Sequence, residues 1–313
     1  APAGHKSHGG LWPSPIGVVW GSRKISPGPA WLQAGMKVTS STSGDSMAKT
    51  QRTMDEKITR LRTYNIVAGS LHLIQAVGLG YVLTLLDNQV TFPVTADYLG
   101  GPPGVPMPAE RVELFDINVG IGVVAFLAMS AFFHYLISSP MFFTRYGNGL
   151  RKNRNYFRWT EYSLSSSVMI WLVAQITGIT DIAALFGIFA VNASMIMFGA
   201  LQEKYESPGS GGFLPFVFGS MTGVVPWIVI VIYFIAPGSA GTVEPPAFVT
   251  GIIISLFLFF NTFAVNQALQ YHRVGGWADY IRGERMYITL SLIAKTALAY
   301  QVFSGSIIPA LTS

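Results

Sequence analysis

The sequence predicts an all-α membrane protein, a bundle of seven transmembrane helices with a small β-hairpin at one mouth. Three observations lead there. The 313 residues are 50% hydrophobic and only 11% charged, whereas soluble domains carry about 25% charged residues. Seven apolar runs are each long enough to span, since about 20 helical residues cross the hydrocarbon core. The bases fall in alternate loops, as orientation in a bilayer demands. Cysteine is absent, which excludes disulfides and thiolate metal sites. The bases are dispersed among the loops rather than gathered on one basic face, so nucleic acid is not an expected partner.

Residues 1–46 are rich in Gly, Ser and Pro and hold no acid before Asp45. They show no apolar periodicity and read as a disordered polar tail ahead of a domain covering 47–313. The tail is basic, Ser-rich and acid-poor, with a faint likeness to an organelle transit segment; a solvated extension ahead of a start near Met47 is the simpler reading. Spans are expected at about 60–86, 114–139, 155–177, 181–201, 213–236, 247–271 and 286–307. The link at Gly178-Ile179-Thr180 is so short that spans three and four must be antiparallel neighbours. In the long first loop, β-branched residues over Val90–Thr95 precede a Gly/Pro stretch, the pattern of a hairpin.

Fourteen Lys and Arg lie just before span one or in the second, fourth and sixth loops, against Arg111 alone in the odd-numbered loops. The N-terminus is therefore expected in the cytoplasm and the C-terminus outside. The protein is expected to be multi-pass in the cell membrane, with an organelle membrane as the other option.

Lys295 is the residue that the rest must accommodate. It lies within 286-MYITLSLIAKTALAYQVFSGSIIP-309, with no other charge after Arg285. A charge at the bilayer centre costs about 2.5–3.5 kcal/mol on insertion scales, so such a lysine marks a functional site by default. A desolvated lysine suits Schiff-base chemistry with an aldehyde; the alternative is a side chain that snorkels to the interface. Glu161, in 158-RWTEYSLSSSVMIWLVAQ-175, is the acid at matching depth and the natural ion-pair partner. Ser165 and Met169 follow it at i+4 and i+8, and Ser291 precedes Lys295 by one turn. His72 and His134 also fall within spans and could accept a proton near neutral pH. Two histidines without a third ligand make a weak metal site, so none is assigned. Glu203, at the end of span four beside Gln202 and Lys204, reads as an interfacial acid.

The strings Trp159-Thr160-Glu161-Tyr162-Ser163 and Ser291-Leu292-Ile293-Ala294-Lys295 resemble the heliorhodopsins, as do Leu71-His72-Leu73, Ser130 with His134, and the neighbourhood of Asn192 and Glu203. The likeness runs from about Leu61 to the C-terminus and leaves out the tail. It implies all-trans retinal on Lys295 as a protonated Schiff base, with Glu161 as counterion. It implies a polar network of Ser291, Ser130, His72 and His134. It implies a chromophore pocket that includes Tyr162, Ser166, Met169, Asn192, Tyr233, Phe260 and Gln267. It also implies a homodimer with the cytoplasmic N-terminus derived above, acting as a slow-cycling light sensor toward a signalling partner that the sequence does not name.

Ion-pumping microbial rhodopsins place an acid one turn before the lysine, where this chain has Ser291, and bend span six at an aromatic-proline pair absent from 257-FLFFNTFAVNQALQYH-272. A vectorial pump needs a chain of proton-carrying groups across the membrane, so a photoreceptor without pumping is expected. A light-driven proton transporter or channel using Glu203 or the histidines is the alternative, and a seven-span receptor or permease without chromophore is a third. No nucleophile–base pair, metal set or phosphate loop suggests an enzyme.

Overall fold

The computed structural model describes residues 30–86, 89–104, 110–235 and 246–307. The chain divides into two compact units, 1–51 and 52–313. In the first, residues from Ala30 onward are helical, so 30–46 form backbone helix where the sequence shows no apolar period; residues 1–29 of the expected tail lie outside the described residues. The second unit holds all that follows.

The elements run α1 (Ala30–Leu83), β1 (Thr91–Tyr98), β2 (Glu110–Asn118), α2 (Val119–Ser138), α3 (Pro140–Leu150), α4 (Tyr156–Ile176), α5 (Ile182–Tyr205), α6 (Leu214–Ile235), α7 (Ala247–Tyr271) and α8 (Tyr280–Val302). Among the described residues, six helices are long and apolar enough to cross a membrane. The remaining long helix, α4, has 21 residues, enough to span at about 1.5 Å per residue. Its arginine, glutamate and serines make it the polar member of the bundle, and it packs against α2 and α5. The expected antiparallel pair across Gly178 is present as α4 and α5, and Gly178 takes φ +93°, which an L side chain adopts only with strain.

Two boundaries differ from the sequence reading. Residues 114–118, counted with span two, belong to β2, because Asn118 caps α2 by accepting from the Ile121 amide at 2.9 Å. The second loop also contains a helix, α3, which Pro140 starts at its first turn. Similar caps begin the helices that carry the site: Asn155 for α4, Asp181 for α5 and Asp279 for α8.

The hairpin is antiparallel, with a register shift between Val94 and Thr95. The Thr95 amide donates to the Thr180 carbonyl at 2.9 Å, and the two threonine hydroxyls meet at 3.1 Å. The hairpin is thus tied to the turn between α4 and α5, and Val94 is buried in the main apolar cluster. That cluster fills the hairpin end of the bundle with Val119, Val123 and Phe126 of α2, Ile170 and Val173 of α4, and Leu298 and Val302 of α8. In lipid, close packing rather than water exclusion holds such helices together. Gly122 shows how close: a Cβ there would lie 2.7 Å from Leu172 Cδ2. A second cluster, with Ile58 and Leu61 of α1, Tyr146 and Leu150 of α3 and Ile281 and Ile288 of α8, closes the opposite end.

Candidate functional site

Lys295 and Glu161 meet in the middle of the bundle. Lys295 Nζ lies 2.5 Å from Glu161 Oε1 and 3.0 Å from Ser291 Oγ, with the two residues 3% and 5% exposed. Glu161 Oε1 also accepts from Ser130 at 2.6 Å and from Ser165 at 2.8 Å. Three spacings produce this arrangement. Ser165 is one turn from Glu161 and Ser291 one turn from Lys295, while α2 crosses at Ser130. The ammonium sits 5.3 Å from the Tyr162 ring centroid, and Tyr162 is fixed by donating to the Tyr287 carbonyl at 2.8 Å. A buried charge is tolerated when paired and hydrogen-bonded, and both conditions are met.

The histidines stand beside this group without touching it. Their rings stack at 5.8 Å with 14° between planes. His134 Nδ1 contacts Asn65 Oδ1 at 2.8 Å. His72 is fully buried, and neither ring nitrogen has a hydrogen-bond partner among the described residues. Close approach of α1 to α2 enforces the stack, since a Cβ on Gly69 would lie 2.9 Å from His134 Cβ.

On the other side of Lys295, a narrow pocket lined by Met169, Ser166, Phe260 and Ala294 leads away from the amine. It shares Tyr162, Met195, Ile196, Phe260 and Phe263 with a cleft of about 760 Å³ between α6 and α7. Phe260 stands edge-on to Trp227 at 5.7 Å. Gln267 lines the same cleft and donates to the Gly199 carbonyl at 3.2 Å. Asn192 holds the polar shoulder, donating to Ser166 and Ser167 at 2.9 Å each. Tyr233 is not part of this group: it is 47% exposed and lines neither space. Ile230 is buried and Phe234 packs on the core, and Tyr233 lies about 100° around the helix from Phe234.

Sequence reasoning missed a second buried charge cluster at the end of the bundle away from the hairpin. Arg158 of α4 pairs with Glu203 of α5 and with Glu284 of α8. Glu203 is no interfacial acid: it is buried, and four donors reach it, namely Arg158, Tyr280, the Asn155 amide and the Trp159 indole. Glu284 is 1% exposed and accepts from Asn155 Nδ2 at 2.8 Å. The signal was present, since Glu284, Ile288, Ser291 and Lys295 recur at helical spacing on one face of α8. Its neighbours Arg282 and Arg285 gave it the look of a loop charge.

The buried ionisable groups lie in one half of the bundle. Among the described residues, no buried acid, lysine, arginine or histidine lies between the Lys295–Glu161 level and the hairpin end. There is no group of three His, Cys, Asp or Glu able to hold a metal among the described residues.

A family model described as heliorhodopsin matches residues 61–307. The bundle is similar in fold to the transmembrane domain of Salpingoeca rosetta rhodopsin phosphodiesterase, at TM-score 0.58 and 12% identity over 85% of this chain and 89% of that one. A second structure of that protein, with its linker region, gives TM-score 0.57 at 14% identity over 85% and 77%. A thermophilic rhodopsin gives TM-score 0.51 at 11% identity, over 82% of this chain and 96% of that one. No curated protein sequence matches.

Proposed function

Because the chain belongs to the heliorhodopsin family, whose members carry retinal as chromophore, we propose that it is a light sensor whose pigment is attached at Lys295 with Glu161 as counterion. The observation that carries the reading is the Lys295–Glu161 pair, 2.5 Å apart, at the head of an apolar cleft. The donor set fits retinal: one buried amine beside one carboxylate, and aromatic walls beyond with few polar groups. When bound, retinal supplies visible absorption and a light-driven change of geometry at the lysine nitrogen.

The rest belongs to the chain. Glu161 Oε1 holds the positive charge on Lys295, and Ser130, Ser165 and Ser291 fix the two groups by hydrogen bonds. Met169, Phe260 and Trp227 give the cavity apolar walls. Any turn of the nitrogen away from Glu161 unbalances a buried pair, and the proton on Lys295 then moves to Glu161 or into the polar half. Slow return keeps an altered bundle populated long enough for a partner to read it. The lack of buried ionisable groups toward the hairpin, among the described residues, supports a sensor without vectorial pumping, because a pump needs carriers on both sides. The loop charges support a cytoplasmic N-terminus, which places the polar half toward the cytoplasm. In this reading α4 is the seventh span, and the likeness to a rhodopsin phosphodiesterase domain is one of fold, with no enzyme activity assigned to this chain.

The test is a visible spectrum of protein made with all-trans retinal, beside Lys295→Ala. A band that disappears in the variant is expected; no band in either refutes the reading. Transport is the second reading, and a sustained, uncoupler-sensitive pH change on illuminating cells would establish it.

A further inference from the structure

A small cavity connects the two buried charge clusters. It has about 30 Å³ open to water, room for a water molecule. Glu161, Ser130, His134, Asn65, Tyr146 and Glu284 are among its walls. Glu161 reaches it from the Lys295 pair, and Glu284 from the arginine cluster. Glu284 stands eleven residues before Lys295 on α8, about 16 Å along the axis, too far for direct transfer, and Glu161 and this space lie between them.

The charges decide where a proton would settle. Arg158 faces two carboxylates, Glu203 and Glu284, and all three are buried. The triad therefore holds one negative charge in excess. The other groups facing it are Tyr280, Tyr287, Tyr146 and Trp159, which are neutral, and Arg154 binds only backbone carbonyls at its edge. Within the triad the two acids differ. Both oxygens of Glu203 already accept two donors each, from Arg158 and Tyr280 on one and from the Asn155 amide and Trp159 on the other, which fills an ionised carboxylate. Glu203 is also absent from the cavity walls, whereas Glu284 lines them and accepts one hydrogen bond, from Asn155 Nδ2, with Arg158 Nη1 paired to its other oxygen. A proton on Glu284 cancels the excess charge of the triad, and of the two acids only Glu284 reaches the cavity.

We propose that Glu284 is the terminal proton acceptor of the light reaction, an assignment that rests on the pigment reading above. The N–H bond at Lys295 breaks, an O–H bond forms on Glu284, and Glu161 with the cavity carries the proton between them. The lysine nitrogen ends neutral, and so does the Arg158 triad; the negative charge is left on Glu161, to which Ser130 and Ser165 donate. Return along the same path resets both, so no ion crosses the membrane.

The experiment is light-minus-dark infrared spectroscopy of retinal-loaded protein, with and without carboxyl-13C glutamate. If no visible pigment forms, the pigment reading itself has failed, and the infrared arm is not reached. With pigment present, a positive carboxylic-acid C=O band that moves with the label is expected. It should be lost in Glu284→Gln and change frequency in Glu284→Asp. No positive glutamic-acid band in labelled wild type, a negative band, or a band that survives Glu284→Gln would overturn the assignment. Should Glu284→Gln yield no pigment, the Asp variant decides: a band at the wild-type frequency there overturns it.

Discussion

Glu161→Gln is the perturbation whose size the structure fixes best. At 2.5 Å, an effective dielectric of about 20 gives an attraction of about 6–7 kcal/mol between Lys295 and Glu161. Desolvation of both groups opposes it, so the net loss on breaking one partner of such a pair is about 3–5 kcal/mol. Glutamine retains the shape and can still accept from Ser130 and Ser165, so the loss reports the stranded lysine charge rather than a cavity. Lys295→Met strands Glu161 in the same way and should lose a similar amount. The double variant removes both charges and should lie within about 1–2 kcal/mol of wild type, because neutral replacement of a whole buried pair is often nearly neutral. Equilibrium unfolding of the four retinal-free proteins in mixed detergent completes the cycle. A double-variant loss equal to the sum of the singles would mean no coupling, and the pair would not be the ion pair described here. With retinal present, Glu161→Gln should also move the absorption band strongly to the red or abolish it, and an unchanged spectrum would exclude Glu161 as counterion.

Further predictions concern the cluster and the hairpin. Arg158→Gln leaves Glu203 and Glu284 buried without their cation, and a loss of about 3–5 kcal/mol should appear in the same unfolding assay. Arg158→Lys should not restore it, since an ammonium cannot serve both carboxylates with a planar fork. Gly199→Ala puts a Cβ 2.5 Å from the Trp159 ring, which its bond to Glu203 holds in place; overpacking should lower stability by about 1–3 kcal/mol, seen as a fall in Tm. In the hairpin, the hydrogen bond and charge of Arg111 hold the Asp97 carboxyl below its ordinary range. The folded group thus binds its proton less readily than the unfolded one, so the contribution is complete above the ordinary carboxylate range and is lost as pH falls through the lowered value. Amide exchange in β1 and β2 should quicken over that window in wild type and change little in Asp97→Asn.

Much of this architecture was legible in the sequence because lipid imposes simple rules. Apolar runs of spanning length marked the helices, alternate basic loops suggested the orientation, and the β-branched run before a Gly/Pro stretch marked the hairpin. A lysine in an apolar run required a partner, and Glu161 was the acid at its depth. The spanning helices, the hairpin and the Lys295–Glu161 contact were legible because a charge in hydrocarbon is expensive and one-dimensional spacing sets depth. Tyr233 lies outside the cleft because depth alone does not say which way a side chain turns, and the face that α6 offers is fixed by its neighbours.

The sequence by itself determined the long apolar helices, their order and the central ion pair, since each follows from local hydropathy and helical spacing. Only the tertiary structure decided that Glu203 and Glu284 are buried on one arginine, and that a water-sized cavity lies between Glu284 and Glu161. The reason is physical. Whether a charge near a helix end faces solvent or the bundle depends on how α4, α5 and α8 converge, and that convergence is a property of packing among distant segments.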